Sequence, residues 1–256
     1  MKLTRRSSFG VLPALAASGA AAQPAESVVS LKLVVLDIGG TLIGDHGEVP
    51  DAMLGAFSRK GITVTPQEFS GWRGASKRGM VKHFVEDRGP ATGRAALEEA
   101  IYSDFVATVS KSYQNVQPIP GAEKALQELA AMKLLLCTTT GFDRALTTQV
   151  FSNLGWQHYF VASITSDDVA DGRPATYMLF HAMEAAHVND TAQVLAVGDT
   201  PLDLQAAVNA GIAGVGVYSG AAPESRLRQE KSIAILPSVA ELPALIRKGL
   251  PAPARR

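Results

Sequence analysis

Short apolar runs that end in polar residues alternate with helix-like stretches along most of this chain. The runs predict strands at 31–37, 133–140, 158–164, 193–199 and 213–218, with a weaker one at 233–236. Helical spacing of apolar residues lies between them, at 121–132, 142–154, 174–187 and 201–210. Nearly continuous apolar strands separated by helices are typical of a parallel sheet covered on both faces. The sequence therefore predicts a doubly wound α/β fold, whose ligands bind at the carboxyl ends of the strands.

The connection between the first two predicted strands is unusually long. It spans about ninety-five residues, far beyond an ordinary loop. It contains no strong strand, and its helical patterns lie at 51–60, 66–71, 76–87 and 94–113. We therefore predict a helical cap domain at 46–115, inserted into a core domain formed by 31–45 and 116–256.

The overall composition argues against several classes of function. Lys plus Arg and Asp plus Glu number 24 each, so no net charge of the whole chain favours nucleic acid or a membrane surface. A single cysteine, Cys137, excludes an intramolecular disulfide framework and a cysteine-rich metal cluster. We expect neither nucleic acid nor a membrane among the partners of the mature chain.

The first 22 residues have the organisation of a secretory signal peptide. Three basic residues precede an apolar stretch at 9–17, and the small residues at 20–22 form a plausible cleavage site. The segment "TRRSSF" also resembles a twin-arginine signal. We predict a periplasmic or otherwise exported protein. The alternative is a cytoplasmic protein whose leader is an over-extended start or a disordered segment.

Polar residues that follow the predicted strands would gather at one edge of the sheet. Since parallel strands end at a common edge, these carboxylates, hydroxyls, glycines and a guanidinium are expected to converge. They are Asp37, Gly39, Gly40 and Thr41 after the first strand, Thr140 and Gly141 after the second, Arg173 after the third, and Asp199 and Asp203 after the fourth.

Such a set of groups suits phosphoryl transfer. An aspartate can attack phosphorus and form an acyl phosphate. Carboxylates packed closely together need a hard cation, and oxygen ligands of this kind favour Mg²⁺. A threonine hydroxyl, backbone amides beside glycine and an arginine can hold the phosphoryl oxygens while charge develops.

The order of these motifs, from DxxGT to GDxxxD, resembles the haloacid dehalogenase (HAD) superfamily over about residues 31 to 240. The resemblance implies a Rossmann-like core in which the insert is a mobile cap. It implies Asp37 as the nucleophile, Thr140 as a phosphate-binding hydroxyl and Arg173 as the charge-balancing cation. It further implies an Mg²⁺ site and a substrate-binding loop. The metal ligands would be Asp37, the Gly39 carbonyl, Asp199 and Asp203, and the substrate-binding residues Gly40, Thr41 and Gly141.

Gly39 narrows the resemblance to one branch. Most phosphatases and mutases of this superfamily carry an aspartate there as general acid and base. Glycine cannot transfer a proton, which removes a contribution on the order of 10²–10⁴-fold. The phosphonoacetaldehyde hydrolase branch also lacks this acid, and it breaks a C–P bond after a cap lysine forms a Schiff base. "TTTGFDR", "DDVADGRPA" and "GDTPLDLQAAVNAG" are similar to its patterns, and Gly74-x-x-Lys77 matches its lysine motif.

The chain departs from that branch around the predicted lysine. Met80 replaces a histidine, Phe142 replaces a tyrosine and Arg73 replaces a methionine. We place Arg73 among the predicted substrate-binding residues. Lys77 has two interpretations, a Schiff-base lysine or a solvated charge on an amphipathic helix.

Three functions remain open from the sequence. The first is an Mg²⁺-dependent hydrolase that acts through an aspartyl phosphate on a small phosphonate such as phosphonoacetaldehyde. The second is a small-molecule phosphomonoesterase similar to phosphoglycolate phosphatase. The third is a non-catalytic protein that binds phosphate or phosphonate. The cap helices of the phosphonatase branch could also support a homodimer.

Overall fold

The computed structural model describes residues 30–251. The signal peptide predicted at 1–22 lies outside these described residues. Within them, six parallel strands form one sheet in the order β3-β2-β1-β4-β5-β6, which confirms the predicted α/β fold. The strands are β1 (Leu33–Asp37), β2 (Leu135–Thr139), β3 (Ala162–Ile164), β4 (Val194–Gly198), β5 (Ala213–Val217) and β6 (Ala234–Leu236).

Helices cover both faces of the sheet because alternate strand residues point to opposite sides. In β1, Val34 and Leu36 belong to one buried cluster, whereas Leu33 and Val35 belong to another. The core helices are α5 (Ala122–Ala131), α6 (Arg144–Leu154), α7 (Tyr177–Ala185), α8 (Pro201–Ala210), α9 (Glu224–Leu227) and α10 (Leu242–Arg247). The first cluster includes side chains of α5 and α6, and the second includes side chains of α7 and α8.

The long connection between β1 and β2 is helical, as predicted. Its helices are α1 (Glu48–Arg59), α2 (Pro66–Ser70), α3 (Lys77–Arg88) and α4 (Arg94–Ser112). Both α1 and α3 pack on α4, and the rings of Phe57 and Phe84 meet edge-on with centroids 5.5 Å apart. These helices therefore bury apolar side chains against one another, within the cluster that also contains Val34 and Leu36 of β1. The exact domain limits at residues 46 and 115 stay a prediction.

Two backbone hydrogen bonds connect the segment that enters the cap with the segment that leaves it. Gly44 N donates to Gln117 O at 3.0 Å, and Ile119 N donates to Leu42 O at 2.9 Å. The segments that enter and leave the cap are thus tied together next to the end of β1. No helix within residues 30–251 is both long and apolar enough to cross a membrane.

The predicted strand at 158–164 is only partly correct. Its first residues form a 3₁₀ turn, Gln157–Tyr159, and the strand is confined to Ala162–Ile164. The ring of Phe160 stacks on that of Phe151 at 4.9 Å instead of extending the sheet. An edge strand pairs on one side alone, which favours a short strand. The short helices α9 and α10 were not predicted either.

Candidate active site

Three buried aspartates come together at the carboxyl edge of the sheet. Asp37 ends β1, whereas Asp199 and Asp203 follow β4, the neighbouring strand. One carboxylate oxygen from each lies within 4.8 Å of the others. Carboxylates this close repel one another unless a cation or a proton is present. These residues are therefore able to hold a metal ion.

Arg173 supplies one positive charge to this cluster. Its Nη1 lies 2.7 Å from Asp37 Oδ1 and also donates to Asp203 Oδ1. Both partners are less than one tenth exposed. The loop that follows β3 thus places a guanidinium between two of the aspartates. One arginine offsets at most one of the three carboxylate charges.

Asp199 retains an oxygen with the properties expected of a cation ligand. Its Oδ2 accepts a hydrogen bond from the Ala221 amide, while its Oδ1 is buried with no hydrogen-bond partner among residues 30–251. Burial, followed by repulsion from Asp37, raises the pKa of Asp199 to about 7. An orphaned, destabilised carboxylate oxygen beside another carboxylate fits a hard divalent cation.

Asp203 has its oxygens occupied by the protein itself. Thr200 is the N-cap of α8, and Asp203 Oδ2 accepts from the Thr200 amide at 3.0 Å and from its hydroxyl at 2.6 Å. Oδ1 accepts from Arg173. Asp203 therefore forms a capping box with Thr200 and stabilises the N-terminus of α8. Its predicted role as a metal ligand stays a prediction.

Lys77 is the first residue of α3 and points into the cleft between cap and core. The residue is 6% exposed, and its Nζ donates to Ala75 O at 3.1 Å. The interpretation as a solvated surface lysine is therefore wrong. Burial, followed by the charge of Arg173, lowers the pKa of Lys77 to about 8, although Asp37 and other carboxylates oppose the shift.

Glycines let the cap and loops approach the aspartates closely. A Cβ on Gly40, whose φ is +76°, would lie 2.3 Å from Asp199 Oδ2. A Cβ on Gly141 would lie 2.4 Å from the backbone oxygen of Ala75, just before the lysine helix. Both positions therefore require glycine.

Gly39 is different, because a Cβ atom would fit there. That atom would have Phe142 Cζ as its nearest neighbour, at 3.8 Å, which is an ordinary contact distance. Crowding at the Cβ position is thus not what requires glycine here.

The predicted residues line one cleft, with the two exceptions of Thr41 and Asp203. Its empty volume is about 530 Å³, part of it open to solvent. Thr41 is buried and does not line the cleft, although its hydroxyl has no hydrogen-bond partner within the described part of the chain. The predicted site residues that line it are Asp37, Gly39, Gly40, Arg73, Lys77, Thr140, Gly141, Arg173 and Asp199.

Comparison with known proteins now gives the family. A family model described as a haloacid dehalogenase-like hydrolase matches residues 31–211. This chain belongs to the haloacid dehalogenase-like hydrolases. The enzyme class and the predicted relation to the phosphonoacetaldehyde hydrolase branch are thereby confirmed.

Relatives of this hydrolase carry two different activities in their names. Phosphonoacetaldehyde hydrolase of Lysinibacillus sphaericus is 29% identical, over 81% of each chain. Phosphoglycolate phosphatase of Chromobacterium violaceum is 24% identical, over 86% of this chain and 98% of its own. A phosphonoacetaldehyde hydrolase-like protein from Oleispira antarctica shares the fold, with a TM-score of 0.76 at 19% identity. That structural match covers 86% of this chain and 93% of the other.

Two residues that line the cleft of this hydrolase were missed by sequence reasoning. Asp45 lies at the entrance to the cap, and its Oδ2 is 3.9 Å from Arg73 Nη1. Tyr113 lies at the exit from the cap, directly after α4, and continues the spacing of apolar residues in that helix. The signal available for both was their position at the two predicted cap boundaries, where core and cap must meet.

Proposed function

We propose that this hydrolase cleaves the C–P bond of a small phosphonate such as phosphonoacetaldehyde. Asp37 would receive the phosphoryl group, and Lys77 would form a Schiff base with the aldehyde. The observation that carries the proposal is the position of Lys77, buried in the cleft that contains Asp37. A second support is Gly39, since a Schiff base makes the carbon leaving group acceptable without a general acid.

The lowered pKa gives Lys77 the reactivity that this chemistry needs. With a pKa of about 8, about one tenth of the lysine is neutral at pH 7. The neutral amine adds to the aldehyde carbon and water leaves, which gives an iminium ion. Asp37 then attacks phosphorus, and the electron pair of the broken C–P bond moves into the iminium to form an enamine. Protonation at carbon and hydrolysis release acetaldehyde and restore the lysine.

In the last step, water would hydrolyse the aspartyl phosphate and release phosphate. The remaining groups of the cleft would bind the phosphoryl oxygens and the metal. Thr140 lines the cleft and offers its hydroxyl to the phosphoryl group, while Arg173 holds Asp37 in place. Asp37, Asp199, Asp203 and the Gly39 carbonyl would hold Mg²⁺. When bound, Mg²⁺ offsets the negative charge shared by these carboxylates and the phosphoryl oxygens.

Phosphomonoester hydrolysis is a second candidate, and Arg73 is the observation that favours it. Its side chain lines the cleft and is about one third exposed, so the guanidinium can reach a bound carboxylate. Phosphoglycolate carries such a carboxylate. Without an acid at Gly39, the leaving oxygen would take its proton from another cleft residue or from water.

Phosphate release separates these candidates. Release from phosphonoacetaldehyde and from phosphoglycolate is measured with Mg²⁺ and with EDTA. Borohydride is added with the aldehyde, and mass spectrometry locates the adduct. We expect Mg²⁺-dependent release from the phosphonate and a reduced adduct at Lys77 that Lys77→Arg does not form. Turnover of the ester alone with no adduct would support the phosphatase. Retained binding with no turnover of either would favour a non-catalytic binder.

Export of this enzyme is a separate proposal. It is supported by the three-region pattern of residues 1–22. Mass spectrometry of the chain recovered from periplasmic and cytoplasmic fractions tests it. A mature N-terminus at residue 23 in the periplasm is expected, and an intact cytoplasmic chain would contradict export.

A further inference from the structure

Tyr113 carries a buried hydroxyl that the proposed mechanism does not use. It begins the 3₁₀ turn Tyr113–Asn115, which leads from α4 back to the core. The residue is 2% exposed, and its hydroxyl has no hydrogen-bond partner in the part of the chain that the structure describes. Buried hydroxyl groups are normally paired, because leaving one unpaired is costly. An unpaired one beside a ligand cleft therefore needs an explanation.

The location of this hydroxyl points to a ligand. Tyr113 lines the same cleft as Asp37 and Lys77. Two other cleft residues, Arg173 and Asp199, also have buried side-chain atoms with no partner among residues 30–251. Those two belong to the aspartate cluster, where a phosphoryl group and a cation are expected. Three of the five buried side-chain atoms that have no partner among residues 30–251 thus belong to residues that line this cleft.

Tyr113 and Lys77 both lie against the ring of Phe142. The ring of Tyr113 meets that ring edge-on, with centroids 5.9 Å apart. Lys77 Nζ lies 5.9 Å from the centroid of the same ring, and all three residues line the cleft. A substrate group that meets Lys77 would therefore lie close to Tyr113 as well.

We propose that the Tyr113 hydroxyl donates a hydrogen bond to an oxygen on the part of the substrate that is not transferred. A carbonyl or carboxylate group bonded to the carbon next to phosphorus carries such an oxygen. This inference rests on the proposed function, because it assumes that the phosphoryl group binds at Asp37. Burial, followed by the charge of Asp45, raises the pKa of Tyr113, so the phenol stays protonated and acts as a donor.

Binding of two matched phosphonates tests the hydrogen bond. Phosphonoacetate has carboxylate oxygens in the required position, whereas propylphosphonate has a similar length and no acceptor there. Affinities are measured by calorimetry in Mg²⁺ for the wild type and for Tyr113→Phe. We expect phosphonoacetate to bind about tenfold more weakly to the variant, which is the loss of one hydrogen bond. The affinity for propylphosphonate should not change.

Thermal stability shows whether the variant remains folded. Tyr113→Phe removes an unpaired hydroxyl and keeps the ring contact with Phe142, so its Tm should be unchanged or higher. Tyr102→Phe is the matched control. The Tyr102 hydroxyl donates a hydrogen bond of 2.9 Å to Asp143, and neither of these residues lines the cleft. That control should lower Tm by roughly 2–4 °C and leave both phosphonate affinities unchanged.

Each outcome decides for or against the inference. The inference would be overturned if Tyr113→Phe lost affinity equally for both phosphonates or lost affinity for neither. It would also be overturned if the wild type bound neither ligand. Phosphate release measured in parallel separates this test from that of the proposed function. If the wild type releases phosphate and Tyr113→Phe keeps the same preference for phosphonoacetate over propylphosphonate, the role of Tyr113 is rejected and the proposed function stands. Selective loss of phosphonoacetate binding without any turnover would retain Tyr113 as a ligand group and reject hydrolysis.

Discussion

Arg173 Nη1 lies 2.7 Å from Asp37 Oδ1, and both side chains are almost completely buried. The pair joins the end of β1 to the loop after β3, two elements far apart in sequence. Because Arg173 also donates to Asp203, its charge is shared between two carboxylates. This arrangement fixes the orientation of the nucleophile and makes the aspartate cluster depend on the guanidinium of Arg173.

Loss of that cation should destabilise the protein strongly. Arg173→Met leaves Asp37 and the Oδ1 atom of Asp203 buried without their cationic partner, which costs about 3–5 kcal/mol. We expect a large fall in Tm in EDTA, measured by calorimetry, and partial recovery on addition of Mg²⁺. Arg59→Met is the control, because the Arg59–Asp104 pair is largely exposed and an exposed pair contributes little to stability. Equal Tm changes in the two variants would contradict this prediction.

The lowered pKa of Lys77 predicts a pH-dependent stability. In the unfolded chain this lysine binds its proton up to about pH 10.5, but in the folded protein only up to about pH 8. Since the unfolded state holds more protons between these values, the Lys77 contribution to folding stability rises with pH across that window. Below pH 8 the buried charge costs up to about 3 kcal/mol.

Lys77→Met isolates this contribution. At pH 7 the variant should be more stable than the wild type in urea unfolding, because it removes the cost of burying the charge. The difference should shrink as the pH rises from 8 towards 10.5. A constant difference across that range would show that the folded-state pKa is not lowered.

Much of this molecule could be predicted from its sequence, because the decisive signals are local. The run LVVLD gives a buried strand that ends in Asp37, and capping residues such as Thr200 and Asp203 locate the start of α8. Glycines likewise mark the turns that follow β1 and β2 at the ligand edge. The α/β core therefore followed from short-range patterns alone.

The orientation of cap residues could not be predicted in the same way. Whether Lys77 is buried depends on docking of α3 against the loop at Gly141, which is 64 residues away in sequence. Tyr113 continues the spacing of apolar residues in α4, so the sequence alone does not indicate that it lines the cleft. That position depends on the packing of the cap against the core. β3 was overestimated because its aromatic flank packs on Phe151.

Gly141→Ala should separate the cap from the core. Its methyl group would fall 2.4 Å from Ala75 O, a backbone atom that cannot move without α3. We expect Lys77 to become more exposed, with faster labelling by an amine reagent and roughly tenfold lower turnover. Gly79→Ala lies in α3 with its nearest contact at 3.5 Å, so it should keep wild-type labelling and gain stability. Unaltered labelling of Lys77 in Gly141→Ala would exclude tight docking at this point.

Gly39→Asp should give the site the proton donor that it lacks. A Cβ at this position would lie 3.8 Å from Phe142 Cζ, its nearest neighbour, so the first side-chain atom meets no clash. General acid catalysis contributes on the order of 10²–10⁴-fold when the leaving group is poor. We therefore expect at least about tenfold faster hydrolysis of phosphoglycolate, measured as phosphate release under kcat/KM conditions. Hydrolysis of p-nitrophenyl phosphate, whose leaving group needs no proton, should change little. Gly39→Asn is the matched control, because it has the same shape and cannot act as an acid at neutral pH. An equal rate increase in Gly39→Asn, or no gain with Gly39→Asp, would show that the missing acid does not limit ester hydrolysis in this cleft.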